Sequence, residues 1–99
     1  MRERDLQGKV VGYARTHGCL ARKLDFGEGW PDYMILYHGQ ILFIEFKGDR
    51  GVVEPLQLHV HKLLEAQGFI VAVVKSADDG MHLIDLLTAQ AMSGILEGQ

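Results

Sequence analysis

Hydrophobic positions change their spacing along the chain, and the first spacing is helical. In the first 17 residues, apolar side chains recur at steps of three and four, which predicts a helix from about Glu3 to His17. Gly18 follows as a natural helix terminator. The residues predicted on one face of this helix are Glu3, Leu6, Val10, Tyr13 or Ala14, and His17. The first element is therefore an amphipathic helix with an acid among its inward residues.

Two strand-like runs come next, after a loop over residues 24–31 that contains glycines and a proline. Residues 33–37 and 41–47 are rich in branched and aromatic side chains, which is typical of strands. The short connection around Gly39 predicts that the two strands form an antiparallel hairpin.

The second strand of this hairpin changes character along one of its faces. Because side chains alternate along a strand, Ile41, Phe43, Glu45 and Lys47 point to the same side. A face that begins apolar and ends in an acid and a base places both charges at the edge of the core. In a hairpin of this length, Asp32 returns beside them.

The second half of the chain predicts a helix, a strand and another helix. A helix beginning near Pro55 precedes the apolar run 69–74, which predicts a strand buried on both faces. Ser76, with Asp79 three residues later, predicts the N-cap of a third helix. The order α-β-β-α-β-α indicates one α/β domain over residues 1–99, with a small mixed β-sheet flanked by helices.

The composition fits a small globular protein in a reducing compartment. The 99 residues are 47% apolar and 23% charged, with no apolar run long enough to span a bilayer and no start resembling a signal peptide. Cys19 is the sole cysteine, which excludes an intrachain disulfide and a cysteine metal cluster. We expect a cytoplasmic protein, of a microbial cell or of a cell hosting a virus, with no membrane partner.

The net charge of −3 argues against a nucleic-acid partner until its distribution is considered. Residues 1–23 hold six basic groups against two acidic ones, so the acidic excess lies in the remainder of the chain. A bound divalent cation would reverse the local field around some of those acids. A solvated basic helix face explains the same charges, so charge alone decides nothing.

The chemistry that these residues predict is phosphodiester hydrolysis at a divalent cation. Mg²⁺ and Mn²⁺ prefer carboxylate, carbonyl and water oxygens. Asp32 and Glu45 would supply two ligands, the carbonyl of Phe46 a third, and Glu3 a candidate fourth. Lys47, on the same face as Glu45, would orient the attacking water or stabilise charge on the phosphate. Without metal, the clustered carboxylates would raise one another's pKa.

Each of these residues also has a structural explanation. Glu45 and Lys47 match an exposed cross-strand charge pattern. Asp32 follows a proline and would organise a turn, and Glu3 would favour the positive end of the helix dipole. The combination is harder to explain in this way than its members.

These residues together resemble the VRR-Nuc family of the PD-(D/E)XK nuclease superfamily. The motifs are Gly29-Trp30-Pro31-Asp32, Ile44-Glu45-Phe46-Lys47, and Gln57 on the following helix. The resemblance covers most of the chain and implies a restriction-endonuclease-like core. Two positions depart from the pattern: Trp30 replaces a small aliphatic residue, and Glu54 precedes Pro55 where serine is usual.

The resemblance also implies an activity and a role for each residue. It implies a metal-dependent nuclease in which Asp32 and Glu45 bind Mg²⁺ or Mn²⁺, Lys47 is catalytic, and Gln57 supports the site from the second helix. It makes Glu3 the acid of the first helix. Small stand-alone members resemble Holliday-junction resolvases, which implies homodimers and selectivity for branched DNA.

Further residues are candidates for contact with DNA. Arg50 lies just after Lys47 and would contact a backbone phosphate, although a solvated loop arginine is an equal explanation. His61 lies four residues after Gln57 and would border the cleft, and Trp30 would stack on a splayed base. The structural alternatives are an ordinary surface or partly buried histidine for His61 and core packing for Trp30.

The third helix predicts a dimer because its apolar arc is too wide for one small sheet to cover. Its apolar residues are Met81, Leu83, Ile84, Leu86, Leu87, Met92, Ile95 and Leu96. The sequence therefore predicts a homodimeric, structure-selective endodeoxyribonuclease of replication, recombination or repair. The alternatives are a non-catalytic nucleic-acid-binding or assembly module with the same fold, and a nuclease that acts on RNA.

Overall fold

The computed structural model describes the backbone of residues 1–97 and the side chains of residues 1–89. Its elements are α1 (Glu3–Thr16), β1 (Leu20–Lys23), β2 (Tyr33–Tyr37), β3 (Gln40–Phe46), α2 (Pro55–Ala66), β4 (Ile70–Val74) and α3 (Ala77–Glu97). The strands form one sheet in the order β1-β2-β3-β4. The pairs β1–β2 and β2–β3 are antiparallel, whereas β3 and β4 are parallel and joined through α2. The predicted mixed α/β sheet is confirmed.

The hairpin between β2 and β3 sets the position of the first acid. His38 and Gly39 form its two-residue turn, with φ angles of 44° and 81°. Two successive positive φ angles are typical of a type I′ turn, whose twist matches that of the strands. The register then pairs Tyr33 with Ile44. One step further along the same register, Asp32 lies opposite Glu45.

The two faces of the sheet pack against different helices. One face packs against α1 and α3 through a dry cluster that includes Leu6, Val10, Ile44, Phe46 and Ile84. The other face packs against α2 through a smaller cluster of buried residues, which consists of Phe43, Val60 and Leu64. Because side chains alternate along β3, this one strand contributes to both clusters.

One strand was not predicted from the sequence. β1 pairs with β2 and makes the element order α-β-β-β-α-β-α, in contrast to the predicted α-β-β-α-β-α. Only Ala21 of its four residues is buried, because β1 lies at the edge of the sheet. The run Leu20-Ala21-Arg22-Lys23 therefore carries no alternation of apolar and polar residues that would predict a strand.

The prediction that β4 is buried on both faces is wrong. β4 is the other edge of the sheet, and Ile70 and Val73 keep 58% and 38% of their surface exposed. The apolar run was read as a central strand, since continuous apolar runs are typical of buried parallel strands. An edge strand has a sheet neighbour on one side alone, so part of this run stays uncovered.

The helices also differ in detail from the expectation. His17 follows the end of α1 and is exposed, and Glu3 is exposed in the first turn of the same helix. Within the described part of α3, Ile84 and Leu87 are buried against the sheet, while Leu86 is 45% exposed. The described part of the apolar arc is thus mostly covered within one chain. Its remaining members, Met92, Ile95 and Leu96, lie outside the described side chains.

The close approach of α3 to α1 depends on a glycine. A Cβ atom on Gly80 would lie 2.4 Å from Cγ2 of Val10 and 3.1 Å from Cγ1 of Val74. The backbone of α3 therefore rests directly on these two valines. Across residues 1–97, no helix is long and apolar enough to cross a membrane.

Candidate active site

A buried carboxylate lies at the end of β3, on the face covered by α2. Glu45 is 1% exposed, and its Oε2 atom accepts a hydrogen bond from Nε2 of Gln57 at 3.1 Å. The amide oxygen of Gln57 in turn accepts the backbone N–H of Glu54 at 2.9 Å. Both ends of the amide are thus engaged, which fixes its orientation. The start of α2 thereby aims one hydrogen-bond donor at Glu45.

Asp32 reaches the same place from the preceding loop. Its Oδ2 atom accepts the backbone N–H of Phe46 at 2.7 Å, and its own carbonyl accepts the N–H of Leu24 at 2.9 Å. These bonds tie the residue to the hairpin and to the chain that follows β1. The predicted approach of Asp32 to Glu45 is confirmed by this geometry.

The electrostatics of Glu45 are those of an acid held beside another acid. Burial, together with the charge of Asp32, raises the pKa of Glu45 to about 8. Lys47 lowers this pKa and Glu3 raises it, both through their charges. The two carboxylates therefore repel, and one proton at this site is retained at neutral pH when no cation compensates them.

Lys47 supplies the positive charge nearest to the carboxylates. It directly follows β3, and its backbone N–H donates to the carbonyl of Val74 at 3.0 Å. Its Nζ atom lies 3.7 Å from Oε2 of Glu45, and its side chain is 11% exposed. The backbone bond extends the parallel ladder past the end of β3, which holds the lysine at the border between core and solvent.

A shallow groove of about 500 Å³ lies beside this cluster. It is lined by Met1, Arg2, Glu3, Gly48, Asp49, Arg50 and Gly51. The N-terminal amino group contacts the Asp49 carboxylate within it. Arg50 and Glu3 both line this groove, and the phosphate contact of Arg50 stays a prediction. The groove also adds Arg2, which the sequence analysis did not single out.

The donor set suits a hard divalent cation. Asp32 and Glu45 are two adjacent carboxylates, and Oε1 of Glu45 is buried without a hydrogen-bond partner among the described residues. Mg²⁺ is commonly held by one or two carboxylates plus waters and substrate phosphates. Within the side chains described here, no three His, Cys, Asp or Glu residues are arranged to hold a metal. Glu3 in particular remains exposed, so its place as a ligand stays a prediction.

His61 lies beneath the surface, in contact with the acid. It is 4% exposed, and its Nε2 atom lies 3.7 Å from Oε1 of Glu45. Burial lowers the pKa of His61, so the imidazole is neutral at pH 7. The described position leaves this side chain little accessible surface and turns it toward Glu45. A phosphate contact by His61 stays a prediction.

Trp30 is half-buried and packs with the apolar cluster under α2. Its ring makes edge contacts with Phe26 and Phe43, at centroid distances of 5.3 and 6.4 Å. Phe26 is 63% exposed and is the more accessible of the two loop aromatics. Packing against these side chains thus accounts for part of the Trp30 ring. Stacking of this ring on a base stays a prediction.

The mixed sheet and the acid–lysine cluster at the end of β3 define a nuclease-fold domain. Among solved structures, this chain is similar to one described as a VRR-Nuc domain, with 31% sequence identity and a TM-score of 0.76. The match covers 84% of this chain and 94% of the other. The chain belongs to the VRR-Nuc family. Comparisons with protein-family models and with curated proteins gave no match.

Proposed function

We propose that the protein is a Mg²⁺- or Mn²⁺-dependent endodeoxyribonuclease that forms a single nuclease domain over residues 1–99. The proposal rests on one observation: Asp32, Glu45, Lys47 and Gln57 converge at one end of the sheet in a VRR-Nuc fold. Isolated charges on a sheet edge would be solvated and scattered. Here a buried acid and a second acid are held by specific hydrogen bonds, and an ammonium group lies 3.7 Å from the buried acid.

The acids serve to hold the cation. Asp32 and Glu45 are the main ligands, and the Phe46 carbonyl and Glu3 are the further oxygen donors. When bound, Mg²⁺ or Mn²⁺ supplies charge neutralisation on the phosphate and lowers the pKa of coordinated water. The raised pKa of Glu45 supports this assignment, because a positive ion would offset both causes of the rise, the burial of the carboxyl group and the charge of Asp32.

Lys47 and Gln57 serve the reaction in different ways. The Lys47 ammonium orients the attacking water or stabilises the charge that develops on the phosphate. Gln57 holds the Glu45 carboxylate in a fixed orientation through its amide. Hydrolysis then adds water across one P–O ester bond, in line with the leaving oxygen, and yields one phosphate end and one hydroxyl end.

DNA would approach over the groove beside the site. Arg50 and Arg2 line this groove and would contact backbone phosphates, which position the duplex without reading its sequence. With a net charge of −3, one subunit offers little basic surface, so its affinity would be weak and strongly salt-dependent. We extend the proposal to branched substrates, such as junctions and flaps, in replication, recombination or repair.

A homodimer would supply the missing contact area. Exposed apolar side chains on α2 and β4, including Leu63, Ile70 and Val73, offer surface for a second copy, in addition to Leu86 on α3. Two subunits would double the phosphate contacts on one DNA molecule. Sedimentation of the protein at micromolar concentration tests this point, and a purely monomeric profile would overturn it.

Cleavage of a nucleic-acid panel tests the activity. Single-stranded DNA, duplex, flap, four-way junction and RNA would be incubated with Mg²⁺ or Mn²⁺, using the unaltered protein, Lys47→Ala and Lys75→Ala. Lys75 is an exposed lysine just after β4 and is the matched control. We expect metal-dependent DNA cleavage that falls by at least about 100-fold in Lys47→Ala, while metal binding is retained and the control cleaves normally.

A second candidate function is a module that binds nucleic acid and does not cleave it. The exposed position of Glu3 and the lack of a three-residue metal cluster among the described side chains favour a module that binds nucleic acid without cutting it. In that case the three proteins would show the same background on every substrate, and added Mn²⁺ would not raise the midpoint of thermal unfolding. Cleavage of RNA in preference to DNA would instead change the substrate class.

A further inference from the structure

The two oxygens of the Glu45 carboxylate have different surroundings. Oε2 accepts the Gln57 amide and faces the Lys47 ammonium at 3.7 Å. Oε1 is buried, and within the described part of the chain it has no hydrogen-bond partner. Buried carboxylate oxygens are normally satisfied, so an unpartnered one in a candidate site needs an explanation.

A matching donor faces that oxygen. Nε2 of His61 is also buried without a partner among the described residues, and it lies 3.7 Å from Oε1. The side chains of His61 and Glu45 are 5% and 2% exposed. An imidazole N–H is a donor and a carboxylate oxygen is an acceptor, so the two unpartnered atoms are complementary.

The helix explains why this donor lies there. Gln57 and His61 are four residues apart on α2, so both project from one helix face toward Glu45. One reaches Oε2 and the other faces Oε1. His59, two residues before His61 on the same helix, is exposed. The contact with Glu45 is therefore particular to His61 and not a property of every histidine on α2.

We propose that His61 is a positioning residue that donates its Nε2–H to Oε1 of Glu45 and, with Gln57, holds both oxygens of the carboxylate. This role rests on the proposed function of Glu45 as a metal ligand. A carboxylate has about four lone-pair sites, so two donors leave room for a cation. The present 3.7 Å separation is longer than a hydrogen bond, and catalytic hydrogen bonds commonly tighten when the site is loaded.

The role predicts an effect on metal affinity that does not depend on catalysis. Groups that hydrogen-bond metal ligands typically contribute about 10-fold to 100-fold to metal affinity. Mn²⁺ binding to the full chain would be measured by titration calorimetry, without DNA. The variants are His61→Leu, which has no donor, His61→Gln, whose amide is a donor of similar reach, and His59→Leu as the matched control. Circular dichroism would confirm that each is folded.

We expect His61→Leu to weaken Mn²⁺ binding by about 10-fold to 100-fold, His61→Gln to restore most of the affinity, and His59→Leu to bind like the unaltered protein. Unchanged affinity in His61→Leu would overturn the proposal. Equal weakening in both His61 variants would overturn it as well, and would indicate a packing role or direct ligation. If the unaltered protein bound no Mn²⁺, the proposed function itself would fail, which is a distinguishable result.

A second measurement needs no variant and so does not depend on the folding of His61→Leu. ¹⁵N NMR of the histidine rings reports which nitrogen carries the proton. The proposal requires a proton on Nε2 of His61. A bare Nε2 in the Mg²⁺-loaded protein, in which Glu45 is a carboxylate, would overturn it. Hyperfine coupling of the His61 nitrogen to bound Mn²⁺ would replace the positioning role with direct ligation.

Discussion

β3 contributes side chains of different character to the two faces of the sheet. On the face toward α1 and α3, β3 contributes Ile44 and Phe46, which are fully buried among apolar side chains. On the face toward α2, the same strand contributes Phe43 and then Glu45, a buried acid with polar neighbours. The first face holds the fold together, and the second holds charges in a place where water is scarce.

This difference shows how a chain of 99 residues can support a buried acid. Burying a charge is unfavourable unless it is paired or hydrogen-bonded. The larger apolar cluster lies on the α1/α3 face, so the α2 face can carry Glu45, Lys47 and His61 beside a smaller cluster of its own. The comparison can be tested by changes on either face.

The largest effect is expected from an apolar deletion on the α1/α3 face. Leu6→Ala removes a fully buried side chain and should lower the free energy of unfolding by about 2–5 kcal/mol. Leu64→Ala is the matched change on α2: Leu64 is 8% exposed in the smaller cluster, so the free energy of unfolding should fall by less than in Leu6→Ala. Urea unfolding followed by circular dichroism measures both. Equal losses would mean that both faces carry the core.

A smaller effect is expected on the α2 face, where the free energy of unfolding should depend on pH through Glu45. The pKa of Glu45 rises from 4.5 to about 8 on folding, so the folded state binds a proton that the unfolded state has released. This contribution is fully present below about pH 4.5 and is lost as the pH rises to about 8. The free energy of unfolding of the metal-free protein should fall by on the order of 1–3 kcal/mol over this range.

The variant Glu45→Gln isolates this contribution. It removes the titrating group but keeps a side chain of the same shape, so the decline between about pH 4.5 and 8 should flatten. His61 acts in the opposite direction, because its pKa is lowered and its contribution is lost as the pH falls. Unfolding at several pH values, for both proteins without metal, measures the difference. A decline of the same size in both would assign it to another group.

The smallest change in stability is expected when either of two helical glycines is replaced by alanine. Gly80→Ala would place a Cβ atom 2.4 Å from Val10, so overpacking of about 1–3 kcal/mol should exceed the usual helix gain from alanine. Gly12→Ala in α1 has open space within 4 Å and should stabilise the protein by about 0.5–1 kcal/mol. Thermal unfolding of both variants measures opposite shifts in the midpoint. A stabilising Gly80→Ala would mean that α3 can move away from α1.

The sequence predicted the elements that have a strong local pattern. The period of α1 was sufficient to predict that helix, and the turn at Gly39 with the alternation along β3 was sufficient to place Asp32 beside Glu45. The family resemblance placed Gln57 at the site, and its hydrogen bond to Glu45 agrees with that placement. The resemblance itself is confirmed by a solved relative.

Other features had no local signal. β1 is a strand because β2 offers it a partner, since its own residues show no alternation. β4 has the composition of a central strand and lies at an edge, which left Ile70 and Val73 exposed. Composition reports how apolar a strand is, whereas its neighbours in the sheet decide how much of it is covered.

The sequence by itself therefore determined which residues are available for chemistry and which of them are close along the hairpin. The tertiary structure decided their surroundings: the burial of Glu45, the reach of Gln57 from α2, and the inward position of His61. Spacing along a chain sets local geometry, because backbone periods are short-range. Burial, pKa and hydrogen-bond partners depend on contacts between elements that are distant in sequence, and those exist only once the helices have packed on the sheet.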